Sequence, residues 1–143
     1  MRKFKNVTGS IVPLPRRSTR NAAAYDFFSP EDFDVKPGEL KFIWSGVKVE
    51  MNPGELFIVN VRSSFGKKKI MIANTQGWID ADYYNNPNNE GNIGIGLYNF
   101  GSEVQHFFKN DKIAQGIFVK INLTDDDTND APERTGGYGS TGR

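Results

Sequence analysis

An all-β fold is what this sequence predicts, and three observations predict it. Apolar residues gather in short runs rich in β-branched and aromatic types. Gly, Pro and Asn turn signals part those runs at about the 8–12-residue spacing of sandwiches, barrels and jelly rolls. Apolar positions nowhere recur with a helical period for more than a turn or two. The first clear strand is 40–44 (LKFIW), entered from the turn pair Pro37-Gly38. Strands at 47–51 (VKVEM) and 56–61 (LFIVNV) follow, parted by Asn52-Pro53-Gly54, whose chemistry favours a tight turn. One or two helical turns are expected around 64–69. Beyond them come 70–73, 93–98, 104–108 and 113–121, so that roughly eight to eleven strands are expected in all. No internal repeat is visible.

A length of 143 residues fits one domain. Eighteen basic residues against 17 acidic ones leave a net charge of +1, which argues against a nucleic-acid-coating role. Cysteine is absent, which excludes disulfide scaffolds, thiolate catalysis and cysteine zinc sites. His106 is the sole histidine, so a His-based triad or a His-rich metal site is not expected. No apolar run exceeds four residues, so no membrane span is predicted. The start, Met1-Arg2-Lys3-Phe4-Lys5, has no apolar stretch after it and does not read as a secretory signal. A cytoplasmic protein is expected. Composition divides the chain into a β-barrel domain at 1–123 and an arm at 124–143, where only Ala131 and Tyr138 are apolar. By itself that arm buries too little to offset its ordering entropy, and a flexible segment is expected there.

Several short motifs carry chemistry, each with a plainer alternative. Gly137-Tyr-Gly-Ser-Thr-Gly142 matches the G-x-G-x-x-G of dinucleotide sites, but no helix-forming stretch follows it, and that reading fails. What remains is a low-complexity end or a glycine-rich flap over phosphates, with Arg134 and Tyr138 favouring the flap. Arg62-Ser63-Ser64, at a strand end and followed by Lys67-Lys68-Lys69, suits a polyanion or a solvated basic edge. In Gly77-Trp78-Ile79-Asp80-Ala81-Asp82-Tyr83, period-two alternation places Asp80 and Asp82 on one face of an extended segment, as a working pair of carboxylates or as two solvent-facing ones. Asp26 follows the apolar lead-in Ala22-Ala23-Ala24-Tyr25, and an acid near a core needs a partner or a task.

Taken in order, Ala-Ala-Tyr-Asp at 23–26, Arg-Ser-Ser at 62–64, Gly-x-Ile-Asp-x-Asp-Tyr at 77–83, Asp-Lys-Ile-Ala-Gln at 111–115 and the glycine-rich 136–142 resemble the five ordered motifs of the trimeric dUTP pyrophosphatases. The resemblance spans residues 22–142 and implies a jelly-roll-like β-barrel and a homotrimer whose three sites are shared between subunits. It further implies Mg²⁺-dependent hydrolysis of the α–β phosphoanhydride of dUTP to dUMP and pyrophosphate. On this resemblance Asp80 is the base that activates water, with Gln115 helping to place water and phosphate. Arg62, Ser63 and Ser64 bind phosphate, and Asp26 holds waters of the Mg²⁺ shell. Asn74 reads the uracil edge within a hairpin that includes Gly77, Trp78 and Ile79, and Ile93-Gly94 forms the facing wall. The ring of Tyr83 lies under the deoxyribose and leaves no room for a 2′-hydroxyl. In the arm, which closes over a neighbouring subunit, Arg134 meets the γ-phosphate and Tyr138, with Gly139 and Ser140, covers the uracil.

This sequence departs from the family pattern at a few positions. Ala24 and Asn110 stand where glycine is usual, Lys112 stands for an arginine, and Arg134 lies one residue nearer the glycine pair. The stretch 84–92, Tyr-Asn-Asn-Pro-Asn-Asn-Glu-Gly-Asn, is longer than the usual link. Two other functions fit the same resemblance: deamination of dCTP on a related fold, and a dUTP-binding trimer that signals to a protein. Single-stranded nucleic-acid binding by a β-barrel is a third class, motivated by the 13% aromatic content and the basic first twenty residues.

Overall fold

A computed structural model describes residues 1–142. Eleven strands appear among them: β1 (Lys3–Asn6), β2 (Tyr25–Phe28), β3 (Phe33–Val35), β4 (Leu40–Trp44), β5 (Val47–Glu50), β6 (Glu55–Asn60), β7 (Ile70–Ile72), β8 (Gly77–Asp80), β9 (Gly94–Asn99), β10 (Gln105–Phe107) and β11 (Lys112–Lys120). One short helix, α1 (Ser63–Lys67), follows β6, and a 3-10 turn (Ala81–Tyr83) follows β8. The all-β expectation is borne out, and the small helix lies close to where it was expected. Asp80 and Asp82 do not share a strand: β8 stops at Asp80 and Asp82 lies in the 3-10 turn.

Two sheets form the body. One has the order β2-β11-β6-β8 and the other β4-β9-β7, flanked by the two-stranded pairs β1-β5 and β10-β3. All pairings are antiparallel. Alternation explains which faces meet: Val47 and Val49 of β5 point inward, as do Ile95, Leu97 and Asn99 of β9. Asn99 is tolerated in the core because its amide donates to the carbonyls of Val35 and Glu103 and its oxygen accepts the Gly101 N–H. A cluster of rings, Phe4, Tyr25, Phe27, Phe57 and Phe118, fastens β1 to the first sheet, with centroid separations from 4.8 to 6.1 Å. Each buried phenylalanine of this kind stabilises by about 1.5–3 kcal/mol. Among the described residues no helix is long and apolar enough to cross a membrane.

One detail of the topology positions everything that follows. β7 and β8 are consecutive, yet they do not pair with each other: β7 joins β9 in one sheet and β8 joins β6 in the other. The link between them, residues 73–76, therefore spans two sheets, and a cleft opens between its arms.

Candidate active site

That cleft has a volume of about 330 Å³. Ala73, Asn74, Gly77, Trp78, Ile79 and Asp80 line it from the β7–β8 link and β8, and Gly94 and Gly96 from β9. Thr75, in the link, has φ +66°, a costly conformation for a β-branched residue. It is held by its N–H to the Ile72 carbonyl and by its hydroxyl to the Asn74 carbonyl. On the facing wall Phe42 pairs with Gly96 and Trp44 with Gly94 across β4 and β9. The glycines leave room for those rings. A Cβ on Gly94 would lie 2.1 Å from Phe42 Cζ and 2.4 Å from the Tyr138 hydroxyl.

In the single chain the arm returns to this cleft. Tyr138 packs edge-on against Phe42 and Trp44, with centroids 5.6 and 5.7 Å away. Its hydroxyl accepts the Gly94 N–H at 3.1 Å and donates to the Gly94 carbonyl at 3.3 Å. Burial pushes this phenol up to about 12, against the lowering effect of the Gly94 N–H, so it stays protonated near neutrality. Its φ of +51° is unusual for an aromatic residue and marks a conformation maintained by these contacts. Arg134 donates to Asp80 at 2.5 Å and to Asp82 at 2.9 Å, so one guanidinium meets both carboxylates. Tyr83, 6% exposed, completes the floor, and burial raises its phenol above the ordinary value.

A second cluster lies elsewhere on the same sheet. Asp26 on β2, Gln115 on β11 and Asn60 on β6 are adjacent in register. Asp26 is 4% exposed and spends both oxygens. Oδ1 lies 3.1 Å from Arg62 Nε, while Oδ2 accepts the Ser18 hydroxyl and lies 3.5 Å from Lys112 Nζ. Lys112 also donates to Ser18 at 2.7 Å, and Gln115 donates to the Val61 carbonyl at 3.2 Å. Arg62, Ser64, Lys68 and Lys112 border a shallow pocket here, with Asn110 and Asp111 on its rim. Asn110 takes φ +71°, a left-handed conformation that asparagine tolerates, which accounts for its standing where glycine is usual.

The two clusters are far apart in one chain. Asp80 pairs with Leu56, at the start of β6, whereas Gln115 pairs with Asn60, at its end. Four residues of strand put about 13 Å between those rungs, and the cleft and the cationic pocket share no lining residue.

Of the residues singled out in the sequence, Asn74, Gly77, Trp78, Ile79, Asp80, Tyr83, Gly94, Arg134 and Tyr138 come together at the cleft. Asp26, Arg62, Ser64 and Gln115 gather at the second cluster. Ser63 opens α1 and is exposed. Ile93 is fully buried in the core, so Gly94 alone carries that wall. Gly139 and Ser140 form an exposed turn beyond Tyr138 and do not line the cleft. Sequence reasoning missed Phe42, Trp44 and Ser18. The first two had a visible signal: in 40–44 the inward Ile43 is flanked by aromatic residues where a half-exposed strand would carry polar ones.

Comparison with known proteins agrees with this layout. A model of the dUTPase family matches residues 11–142. The chain belongs to the dUTPase family. A deoxyuridine 5′-triphosphate nucleotidohydrolase of Lactococcus lactis is 41% identical over 142 residues, covering 98% of this chain and 93% of that protein. The mouse enzyme of the same name is 35% identical, covering 90% and 78%. The crystal structure of a dUTPase from Streptococcus mutans superimposes with a TM-score of 0.79 at 34% identity, covering 85% of this chain and 98% of the other. A phage phi11 dUTPase, described with a structural Mg(II) ion, shares the fold at 21% identity, with a TM-score of 0.73 over 92% and 97%. The jelly-roll-like dUTPase fold expected from the motifs is therefore the observed one.

Proposed function

We infer that the protein hydrolyses dUTP to dUMP and pyrophosphate, as the names of its relatives indicate for them. The observation that carries this is the Gly94 backbone, whose N–H and C=O both face the cleft, with Asp80 and Tyr83 also lining it. A cyclic imide such as uracil offers one acceptor and one donor side by side and can satisfy that pair. Asn74 stands at the opposite wall to meet the remaining edge. Tyr83 then lies under the sugar, and its bulk disfavours a 2′-hydroxyl. The Asp80 carboxylate accepts a proton from water as its oxygen attacks the α-phosphorus. The bond from that phosphorus to the bridging oxygen breaks, and pyrophosphate leaves.

Arg134 must leave Asp80 for this to happen. The incoming phosphates are the competing anion, so the same guanidinium that caps the base is available to the γ-phosphate when the arm closes with Tyr138, Gly139 and Ser140 over the substrate. Arg62, Ser63, Ser64 and Gln115 supply donors to the phosphate chain. Because they lie roughly four rungs from Asp80 in one chain, a complete site needs a second copy beside the first, which favours the homotrimer. The exposed apolar side chains of Phe100, Phe108 and Leu123 are available to such an interface.

Magnesium fits this arrangement as a passenger on the nucleotide. Among the described residues no group of three carboxylates or histidines could hold a metal. Asp26, with both oxygens engaged, has room for a contact through water only. Bound to the phosphates, the ion supplies charge neutralisation. Hydrolysis is favoured over dCTP deamination and over a purely signalling role because the Lactococcus lactis and mouse relatives are named as nucleotidohydrolases. We place this enzyme in the cytoplasm with dUTP and copies of itself as partners, and the net charge of +1 favours this over a nucleic-acid partner. The test is pyrophosphate release from each deoxynucleoside triphosphate with Mg²⁺. Release from dUTP alone is expected, and ammonia from dCTP or no turnover at all would overturn the reading.

A further inference from the structure

The long stretch 84–92 is laced together by its own side chains. Asn86 is 3% exposed, and its Oδ1 accepts the backbone N–H groups of Asn88 and Asn89, both at 3.1 Å. That fixes the amide. Its Nδ2 donates to the Tyr83 carbonyl and to Asn89 Oδ1, each at 2.8 Å. Asn89 Oδ1 also accepts the Gly91 N–H at 3.0 Å, so Asn89 Nδ2 is the atom that faces the Tyr83 hydroxyl, at 2.8 Å. Accepting there, the hydroxyl sends its own proton to the Asn92 carbonyl at 2.7 Å. Backbone groups at both ends set the direction of every bond in this chain.

The outer side of the loop is tied down as well. Glu90 takes the Thr8 N–H and the Lys48 ammonium, both at 3.2 Å, and Lys48 also reaches Asn85 Oδ1 at 2.7 Å. Gly91, at φ +85°, is where the loop folds back on Tyr83, and a Cβ there would lie 2.8 Å from the Tyr83 carbonyl. The arm rests on the same structure. A Cβ on Gly136 would lie 3.3 Å from Asn88, and one on Gly137 would lie 2.6 Å from the Tyr83 ring.

Excluding a ribonucleotide means refusing one extra oxygen, and a ring that yields by about 1 Å no longer refuses it. Packing limits how far the Tyr83 ring can slide, but a hydrogen bond on each side of its hydroxyl fixes the tip. We propose that Asn89, held by Asn86, is a positioning residue that fixes the Tyr83 ring and so sets the discrimination between deoxyribo- and ribonucleotides. This rests on the hydrolysis of dUTP proposed above. Asn89 lies outside the lining of the cleft, and its contact with the site is the Tyr83 hydroxyl.

The test uses the full chain and compares kcat/KM for dUTP and UTP. Asn89→Ala is expected to lower the dUTP/UTP ratio by about tenfold, and Tyr83→Phe, which keeps the ring and removes only the hydroxyl, by a similar factor. In the Tyr83→Phe background Asn89→Ala is expected to change the ratio no further, a coupling that general loosening of the loop would not produce. Should Asn89→Ala fail to fold, Asn89→Asp, which keeps an oxygen for Asn86 and Gly91 and removes only the donor facing the phenol, takes its place. A wild-type ratio in either folded variant, or an equal further fall in the double variant, overturns the inference while leaving hydrolysis standing. A wild-type chain that does not hydrolyse dUTP overturns both.

Discussion

Replacing Gly94 by alanine tests the cleft most directly, because the new methyl has nowhere to go. Its carbon would lie 2.1 Å from Phe42 Cζ and 2.4 Å from the Tyr138 hydroxyl, against a comfortable carbon–carbon separation of about 3.5–4.0 Å. The Phe42 ring must move by about 1.5 Å to restore that spacing. It is not free to do so without consequence, since it stands edge-on between Trp44 and Tyr138, with centroids at 4.9 and 5.6 Å. The base that displaces the phenol would forfeit the same two hydrogen bonds to the Gly94 backbone, each worth about 0.5–1.5 kcal/mol, so substrate binding weakens by about 1–3 kcal/mol, or roughly 5- to 150-fold. A base bound in place of the phenol would meet the same methyl. The expected outcome is a fall of that order in kcat/KM for dUTP. Phe42 is 43% exposed and can swing outward, so the melting temperature should change little. Steady-state kinetics and thermal melting on the same preparation give the answer. A folded variant with kcat/KM within twofold of wild type would refute the placement of the base beside Gly94.

Asp80→Asn is expected to cut kcat by about 10²–10⁴ while dUTP still binds, as measured by steady-state kinetics and calorimetry with a non-hydrolysable analogue; undiminished turnover would place the base elsewhere. Removing residues 134–143 should leave the melting curve almost unchanged and sharply lower kcat, whereas loss of the folded protein would make the arm structural. Asp26→Asn leaves Arg62 and Lys112 facing each other without their shared carboxylate, and a loss of about 1–3 kcal/mol in denaturant unfolding is expected, discounted because both cations are about one-third exposed. Tyr138 sets a pH limit on arm docking. Its phenol is pushed up to about 12 when docked, from near 10 when free, so its contribution to docking is fully present below the lower value and fades as pH rises from about 10 to 12. Fluorescence of Trp44 across that range, compared with Tyr138→Phe, should show the release only when the hydroxyl is present.

The strands rich in β-branched residues, β4, β5, β6, β9 and β11, were legible because the sequence around them alternates or runs apolar between turn residues. β1 and β3 left little trace, since Lys3–Asn6 and Phe33–Val35 are short, half polar and become strands by pairing with β5 and β10. Individual letters of the candidate site, Asp26, Arg62, Asp80 and Gln115, were singled out through the ordered motifs. Their grouping was not, because it follows from register: only the pairing of β2 with β11 and of β11 with β6 sets Asp26, Gln115 and Asn60 side by side. Period-two alternation gave the wrong reason for associating Asp80 with Asp82, which meet at Arg134 across a 3-10 turn. The asparagine-rich 84–92 stretch advertised turns. That its amides bond to one another and to Tyr83 depends on distances no composition contains.

The unpaired neighbours β7 and β8 have one more consequence. Because each jaw of the cleft belongs to a different sheet, its gauge is the spacing between layers, which the buried Phe57 and Leu97, outside the cleft's lining, help to set from beneath. The width of the cleft can therefore be retuned by trading methylene groups under the sheets, in positions that do not line it. Drift in that hidden layer should register as altered base choice before it registers as a weaker protein.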